Sequence, residues 1–197
     1  MVRLDVITTR GGDAGETSLG DGTRIRKDAP RSVAIGVVDE ANAAIGVLRA
    51  HLRGVDAEAD AMLARVQNDL FDLGADLSVP GAAPTDAKGR SRLRVSDAQG
   101  ARLEAEIAAM NAALPPLRSF VLPGGTLAAA QAHVARTVVR RAERCVVRLA
   151  AAEEGAVNPA VVRYLNRLSD HLFVLSRRLN GNGAGDVLWV PGVARGG

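Results

Sequence analysis

Cysteine occurs once, at Cys145, which excludes an intrachain disulfide framework and any cysteine-based zinc site. Aromatic residues are nearly missing: Phe71, Phe120, Phe173, Tyr164 and Trp189 make up 3% of the chain. Alanine, leucine and valine must then build the core, and small side chains suit close-packed helices better than sheets. No apolar run approaches the roughly 20 residues that a membrane-crossing helix needs. The chain opens Met1-Val2-Arg3-Leu4-Asp5 and turns polar and glycine-rich, with no signal-peptide core, so the expected compartment is the cytoplasm. Lysine is confined to Lys27 and Lys88, so arginine carries almost all the positive charge. The net charge of +3 is a weak indication of nucleic-acid binding. What remains is a 197-residue chain, 47% hydrophobic and 24% charged, the balance of a folded globular protein of one domain or two small ones.

The pattern along the chain predicts five helices. Residues 1–29 read as an irregular arm, with a short strand at Val6-Ile7-Thr8-Thr9 and five glycines between Gly11 and Gly22 that interrupt regular structure. Pro30 suits a first helical turn. Val33, Val37, Ala41, Ala44 and Leu48 then recur at helical spacing up to about Arg53. A second helix is predicted from about Asp56 to Leu77, facing inward through Leu63, Val66, Leu70, Leu73 and Leu77. Residues 78–95 read as a long loop. Ser96 and Gln99 form a capping box for a third helix with Leu103, Ile107 and Met110 on one face. A Pro-Gly-Gly turn precedes a fourth helix from about Thr126 to Glu153. Asn158-Pro159 opens a fifth that reaches about Asn180, with Leu165, Leu168, Leu172, Leu175 and Leu179 facing the core. The fold class is all-α: one domain over 1–197, with the arm at 1–29, the bundle at 30–180 and a tail at 181–197.

Four segments can carry chemistry. In Thr8-Thr9-Arg10-Gly11-Gly12-Asp13-Ala14-Gly15-Glu16-Thr17-Ser18, glycines let backbone N–H groups converge on an anion, and hydroxyls add donors. Lys27 can reach the same anion, and Asp13 or Glu16 could help hold a metal that accompanies a phosphate. This is not a P-loop, since the Gly-x-x-x-x-Gly-Lys-Ser/Thr pattern is missing. On the fourth helix, Arg136, Arg140, Arg144 and Arg148 share a face at four-residue intervals, with Arg141 beside it and Glu143 within it. Such a stripe is either a solvated charged face or a binder of polyphosphate, nucleic acid or carboxylates from another element. In the first helix, Asp39 and Glu40 interrupt an apolar pattern: Glu40 reads as solvated, and Asp39 meets an arginine within the subunit or across an interface. In the fifth, Asn166 and Asp170 stand one turn apart, and Asn166 can pair with a purine edge or ribose. His51, His133 and His171 have no metal-ligand spacing.

Taken together, the stretches TTRGGDAGETSLGDGTRIRKDAPR, AIGVVDEANAAIG, FVLPGGTLAAAQAHVARTVVRRAER and NPAVVRYLNRLSDHLFVLSR resemble the PduO-type ATP:cob(I)alamin adenosyltransferases. The resemblance spans most of the chain. It implies a five-helix, ferritin-like bundle that forms a homotrimer with active sites between subunits. It implies transfer of the 5′-deoxyadenosyl group of ATP, used with Mg2+, to cob(I)alamin. By the same match, Thr9, Arg10, Gly11, Gly12, Thr17, Ser18 and Lys27 contact the nucleotide. Arg140, Arg141, Glu143, Arg144 and Asn166 complete that site. Asp39 and Arg136 form a salt bridge between subunits, and Phe120 lies under the corrin ring and helps exclude the lower axial ligand. The catalytic set is therefore Arg136, Arg140, Asp39 and Phe120, while the metal ligands are not identified. The partners implied are a second copy of the chain, a cob(II)alamin reductase, and a mutase or dehydratase that uses adenosylcobalamin. Nucleic acid and membrane are not expected. The chain departs from the usual pattern at Gly11, Ala14 and Ala41, and beyond Leu179 only Val187-Leu188-Trp189 matches.

Overall fold

A computed structural model describes residues 8–81, 83–85, 89 and 91–192. Five helices follow a short hairpin: β1 Glu16–Ser18, β2 Arg24–Arg26, α1 Pro30–Leu52, α2 Ala57–Leu77, α3 Asp97–Asn111, α4 Leu127–Ala152 and α5 Pro159–Leu179. The local chemistry explains the boundaries. Pro30 and Pro159 each occupy a first turn, where the missing N–H costs nothing. Asp56, Thr126 and Asn158 each accept a free N–H of the turn they open. Gln99 Oε1 accepts the Ser96 N–H at 2.8 Å, as the capping-box reading requires.

α1 packs on α2 and α4, and α5 packs on α4 and α3. α1 and α4 run antiparallel: Arg31 at the start of α1 meets Glu153 at the end of α4, and Glu40 meets Arg141 in between. The core is built of aliphatic and small side chains, with Tyr164 its one large aromatic member. The inward leucines expected on α2 are all buried. On α5, Leu165, Leu168, Leu172 and Leu175 are buried and Leu179 is half-buried.

Two sequence expectations are corrected. The buried face of α1 is Ala34, Val38, Ala41, Ile45, Leu48 and Leu52, so the helix is turned by about one residue from the face read at Val33 and Val37. Val33 is exposed. Valines lie on both sides of α1, and alanine fills the inner side, so hydrophobic contrast alone does not decide the rotation. The arm is also not wholly irregular. β1 and β2 pair antiparallel, with Thr17 opposite Ile25. Val6 and Ile7 of the predicted strand lie outside the described residues, as does Lys88; Thr8 and Thr9 are not in a strand. The hairpin is docked rather than loose. The Gly20 N–H donates to Ser78 O at the end of α2 (2.9 Å), and Leu19 is buried.

Buried acids join the helices. Asp76 accepts from Arg94 Nη1 (2.6 Å), the Val95 N–H (2.8 Å) and Asn158 Nδ2 (2.7 Å), linking α2, the segment before α3, and the start of α5. Asp69 accepts from the Tyr164 hydroxyl at 2.8 Å and from Arg102, joining α2, α5 and α3. Burial, reinforced by the Asp69 carboxylate, pushes the Tyr164 hydroxyl well above its ordinary pKa, so it stays a donor. Removing one partner from such a cluster strands a buried charge. Asp76→Ala is expected to cost about 3–5 kcal/mol, read as a fall in the urea midpoint with an unchanged slope.

Candidate functional site

The arm's glycine turn is shaped around two cations. Arg10 takes a positive φ of 57°, and its carbonyl accepts the Asp13 N–H at 3.3 Å. A Cβ at Gly12 would stand 2.9 Å from Lys27 Nζ, so the ammonium lies directly across this turn and would have to swing aside for a side chain there. Arg24 closes the other side, donating to Gly11 O at 2.9 Å and to Ser18 Oγ at 3.1 Å. Thr9, Arg10, Gly11, Gly12, Thr17, Ser18 and Lys27 therefore belong to one hairpin unit, and apart from the half-covered Gly12 and Thr17 they are exposed. Arg24 was not among the residues expected here. Its place in the second strand, opposite Ser18, becomes visible only once the hairpin pairs.

The second group stands on α4 and α5. Arg140, Glu143, Arg144, Val147, Arg148 and Ala151 line a groove of about 410 Å3. Asn166 Nδ2 donates to Glu143 Oε1 at 3.0 Å, which ties α5 to this groove. Arg136, Arg140, Arg144 and Arg148 form no ion pair among the described residues. Arg141 differs: it is engaged with Glu40 of α1, a half-exposed pair worth at most about 1 kcal/mol. Glu40, read from the sequence as solvated, is thus the acid that meets the arginines within the chain.

Asp39 and Arg136 are not brought together in one chain. Asp39 is exposed, has no ionic or hydrogen-bonding partner among the described residues, and borders a groove of about 390 Å3 between α1 and α2 that Phe71 also lines. Arg136 is half-buried, and its Nε has no hydrogen-bond partner among the described residues. Burial, then the charge of Arg140, pushes the Arg136 guanidinium below its ordinary value. A cation held this way favours any incoming anion.

Phe120 is 77% exposed, unusual for phenylalanine. Its ring lies 6.0 Å from that of Trp189 at an interplanar angle of 56°. The backbone below is paired as well: the Trp189 N–H donates to Phe120 O at 2.8 Å and the Leu122 N–H to Val187 O at 2.7 Å. The tail therefore forms part of the Phe120 surface, a relation the sequence did not disclose.

Sequence reasoning also passed over His133. It is buried one turn before Arg136, its ring lies 6.3 Å from Phe173, and both ring nitrogens lack partners among the described residues. Burial, then the Arg136 charge, holds the imidazole below the usual 6.5, with Asp186 pulling weakly the other way. Spacing gave no sign of it, since a lone histidine in a helix looks like core. Among the described residues no group of three or more His, Cys, Asp or Glu side chains could hold a metal ion, and no helix is long and apolar enough to cross a membrane.

A docked, glycine-turned cationic hairpin, an unbalanced arginine face and an exposed aromatic platform on a five-helix bundle define a binder of large anionic and planar ligands. The chain belongs to the cobalamin adenosyltransferase family, whose profile matches residues 7–179. It is 53% identical over 190 residues to a cobalamin adenosyltransferase of Cupriavidus metallidurans, covering 95% of each chain. It is 49% identical to a corrinoid adenosyltransferase of Mycobacterium bovis, covering 97% of this chain and 96% of that one. In three dimensions it superposes on a variant of the PduO-type ATP:corrinoid adenosyltransferase from Lactobacillus reuteri complexed with cobalamin and ATP. That match has a TM-score of 0.84 at 34% identity, over 93% of this chain and 99% of that one.

The His133 shift has a definite sign. With a folded pKa below 6.5, the unfolded chain binds the proton first. The stabilisation is complete above about pH 6.5 and falls as pH drops toward the folded pKa. His133→Leu is expected to flatten the dependence of Tm on pH between 7 and 5, measured by thermal unfolding.

Proposed function

We propose that this chain transfers the 5′-deoxyadenosyl group of ATP to cob(I)alamin, giving adenosylcobalamin and triphosphate. The observation that carries this reading is the arginine face of α4: Arg140, Arg144 and Arg148 line a groove of about 410 Å3 in which Glu143 is the one acid, and none of these arginines forms an ion pair among the described residues. In a member of this family, the counterpart of such a face is a triphosphate.

The chemistry needs little from acid–base groups. Cobalt in cob(I)alamin supplies the electron pair, the Co–C5′ bond forms, the C5′–O bond breaks, and the leaving oxygen departs with the whole triphosphate. Attack requires the three atoms in line, so positioning is the main contribution of the protein. Charge grows on the leaving triphosphate, and donors already aimed at it stabilise the transition state most. Arg140 and Arg144, with Glu143 and Asn166 steering the nucleoside, serve on the bundle. Thr9, Arg10, Gly11, Gly12, Thr17, Ser18 and Lys27 serve on the arm. Arg141 joins them by exchanging Glu40 for phosphate. A magnesium ion would arrive with the phosphates and take most of its ligands from them, because the described residues offer no acidic cluster of their own.

Among the described residues, the arm and the α4 groove share no hydrogen bond or ion pair, and Asp39 and Arg136 each lack a partner. Both features support a homotrimer in which the arm and Asp39 of one subunit face α4 of the next. Phe120 takes the lower face of the corrin. A hydrophobic wall there removes the lower axial ligand and makes cob(II)alamin easier to reduce. A cob(II)alamin reductase and an adenosylcobalamin-dependent mutase or dehydratase would act before and after this enzyme, in the cytoplasm.

An anaerobic absorbance time course in the dark, with ATP, magnesium and chemically reduced cobalamin, tests the reading. A light-sensitive alkylcobalamin should form only with both ATP and protein. Its failure to form in folded protein would refute the assignment. Arg140→Ala should lower the rate roughly a hundredfold or more while leaving assembly intact. Phe120→Ala should slow the route that starts from cob(II)alamin far more than the route that starts from cob(I)alamin; equal losses would remove the role given to Phe120.

A further inference from the structure

The end of α5 turns around a buried ion pair. Arg177 Nε donates to Asp186 Oδ2 at 2.7 Å, and the two side chains are 6% and 3% exposed. Arg177 Nη2 also donates to Pro115 O at 2.9 Å, in the connection that leads to Phe120. Asn180 continues the cluster. Its Nδ2 donates to Asp186 Oδ1 and to Gly124 O, both at 3.3 Å, and its Oδ1 accepts the Thr126 N–H at 2.9 Å. Gly125 has φ 92°, and a side chain there would collide with Asn180 at 2.2 Å, so the turn before α4 is closed against the same group.

Immediately after Asp186 the chain runs beside the Phe120 segment. Val187 O and the Trp189 N–H bond to Leu122 and Phe120, and Ser119 Oγ donates to Trp189 O at 2.7 Å. Phe120 itself is mostly exposed and gains little orientation from the core. Its direction is set by its own backbone and by one ring neighbour, Trp189. The 187–189 segment, joined to 120–122 by an isolated antiparallel bridge between Val121 and Leu188, supplies both the backbone partners and that ring, and Asp186 stands at its point of entry.

We propose that Asp186 and Arg177 are positioning residues for Phe120. Their ion pair holds the 187–189 segment in register with 119–122, and through it aims the Phe120 ring at the corrin. The proposal rests on the role given to Phe120 above. Stability alone is a poor account of the pair, because apolar side chains of similar volume commonly hold a buried site as well. Direction is what the pair adds: the planar guanidinium divides its donors between a carboxylate of the tail and a carbonyl before Phe120, fixing one relative to the other.

Trp189 is the only tryptophan in the chain, so its emission reports on this segment. Two substitutions test the link: Asp186→Asn, and Asp186→Leu combined with Arg177→Met, which removes both charges and strands neither. With the helical circular dichroism retained, acrylamide quenching of Trp189 should rise about twofold. Adenosylation from cob(II)alamin should fall about tenfold, with the cob(I)alamin route changed by less than about twofold, as a small misplacement of the platform would produce. Wild-type quenching together with wild-type rates in either folded variant overturns the proposal. So do equal losses by both routes with Trp189 unmoved. Phe120→Ala measured alongside separates the two claims: if it lacks the route difference, the role of Phe120 fails, while the Trp189 emission still decides whether the ion pair holds the 187–189 segment.

Discussion

The close approach of α1 and α4 fixes where the functional side chains stand. A chain with so few aromatics cannot separate its helices with large rings. It brings them together through small residues: Ala34 and Ala41 on α1, and Ala132, Ala135 and Ala142 on α4, all fully buried. Burying this alanine face of α4 turns the opposite face outward, and that face carries Arg140, Arg144 and Arg148. The same packing brings Glu40 against Arg141 and leaves Asp39, one residue earlier, on the groove between α1 and α2. A change of helix rotation would exchange these two acids, so the packing of small residues decides which arginines stay unbalanced.

Besides the arginines in exposed ion pairs, two groups stand apart by their partners. Arg31, Arg94, Arg102 and Arg177 are each bound to a carboxylate that is buried or half-buried: Glu153, Asp76, Asp69 and Asp186. These pairs join separate elements, and the guanidinium's several donors also reach backbone carbonyls such as Leu77 O and Pro115 O. Arg136, Arg140, Arg144 and Arg148 have no such carboxylate among the described residues. The division is informative because both groups share one side-chain chemistry. The acids nearby are already engaged in structure, and the free arginines form one continuous face. A solvated charged surface usually mixes signs evenly, whereas on this face four arginines stand with Glu143, which accepts from Asn166.

Much of the fold was legible because its boundaries rest on local chemistry. Pro30, Asp56, Ser96, Thr126 and Asn158-Pro159 mark the helix starts through interactions that reach only three or four residues. The hairpin was not legible, since its strands are three residues each and mostly polar, too short for an alternation to show. The rotation of α1 was misread because valine lies on both of its faces. Within the site, the arginine spacing could be read directly, but not which arginines lack partners, a property of tertiary packing. The pairing of Ser119 with Trp189 spans 70 residues, and no local pattern announces it. Family resemblance supplied what periodicity could not, namely the expectation that the arm and the arginine face serve one reaction.

The order of groups along α4 suits the proposed reaction. The Phe120 platform lies just before the helix begins, Arg136 comes next, and Arg140, Arg144 and Arg148 follow toward the end where the arm enters α1. Twelve residues from Arg136 to Arg148 span about 18 Å of helix. A corrin seated on Phe120 and a triphosphate lying along the later arginines would leave the deoxyadenosyl carbon between them, near Arg136. Displacement at that carbon demands cobalt on one side and the leaving oxygen on the other. A straight helix with its apolar platform at one end and its cations toward the other imposes that order through rigid geometry. The later arginines also lie on the side where negative charge would develop, so the features that place the substrates would also favour the transition state.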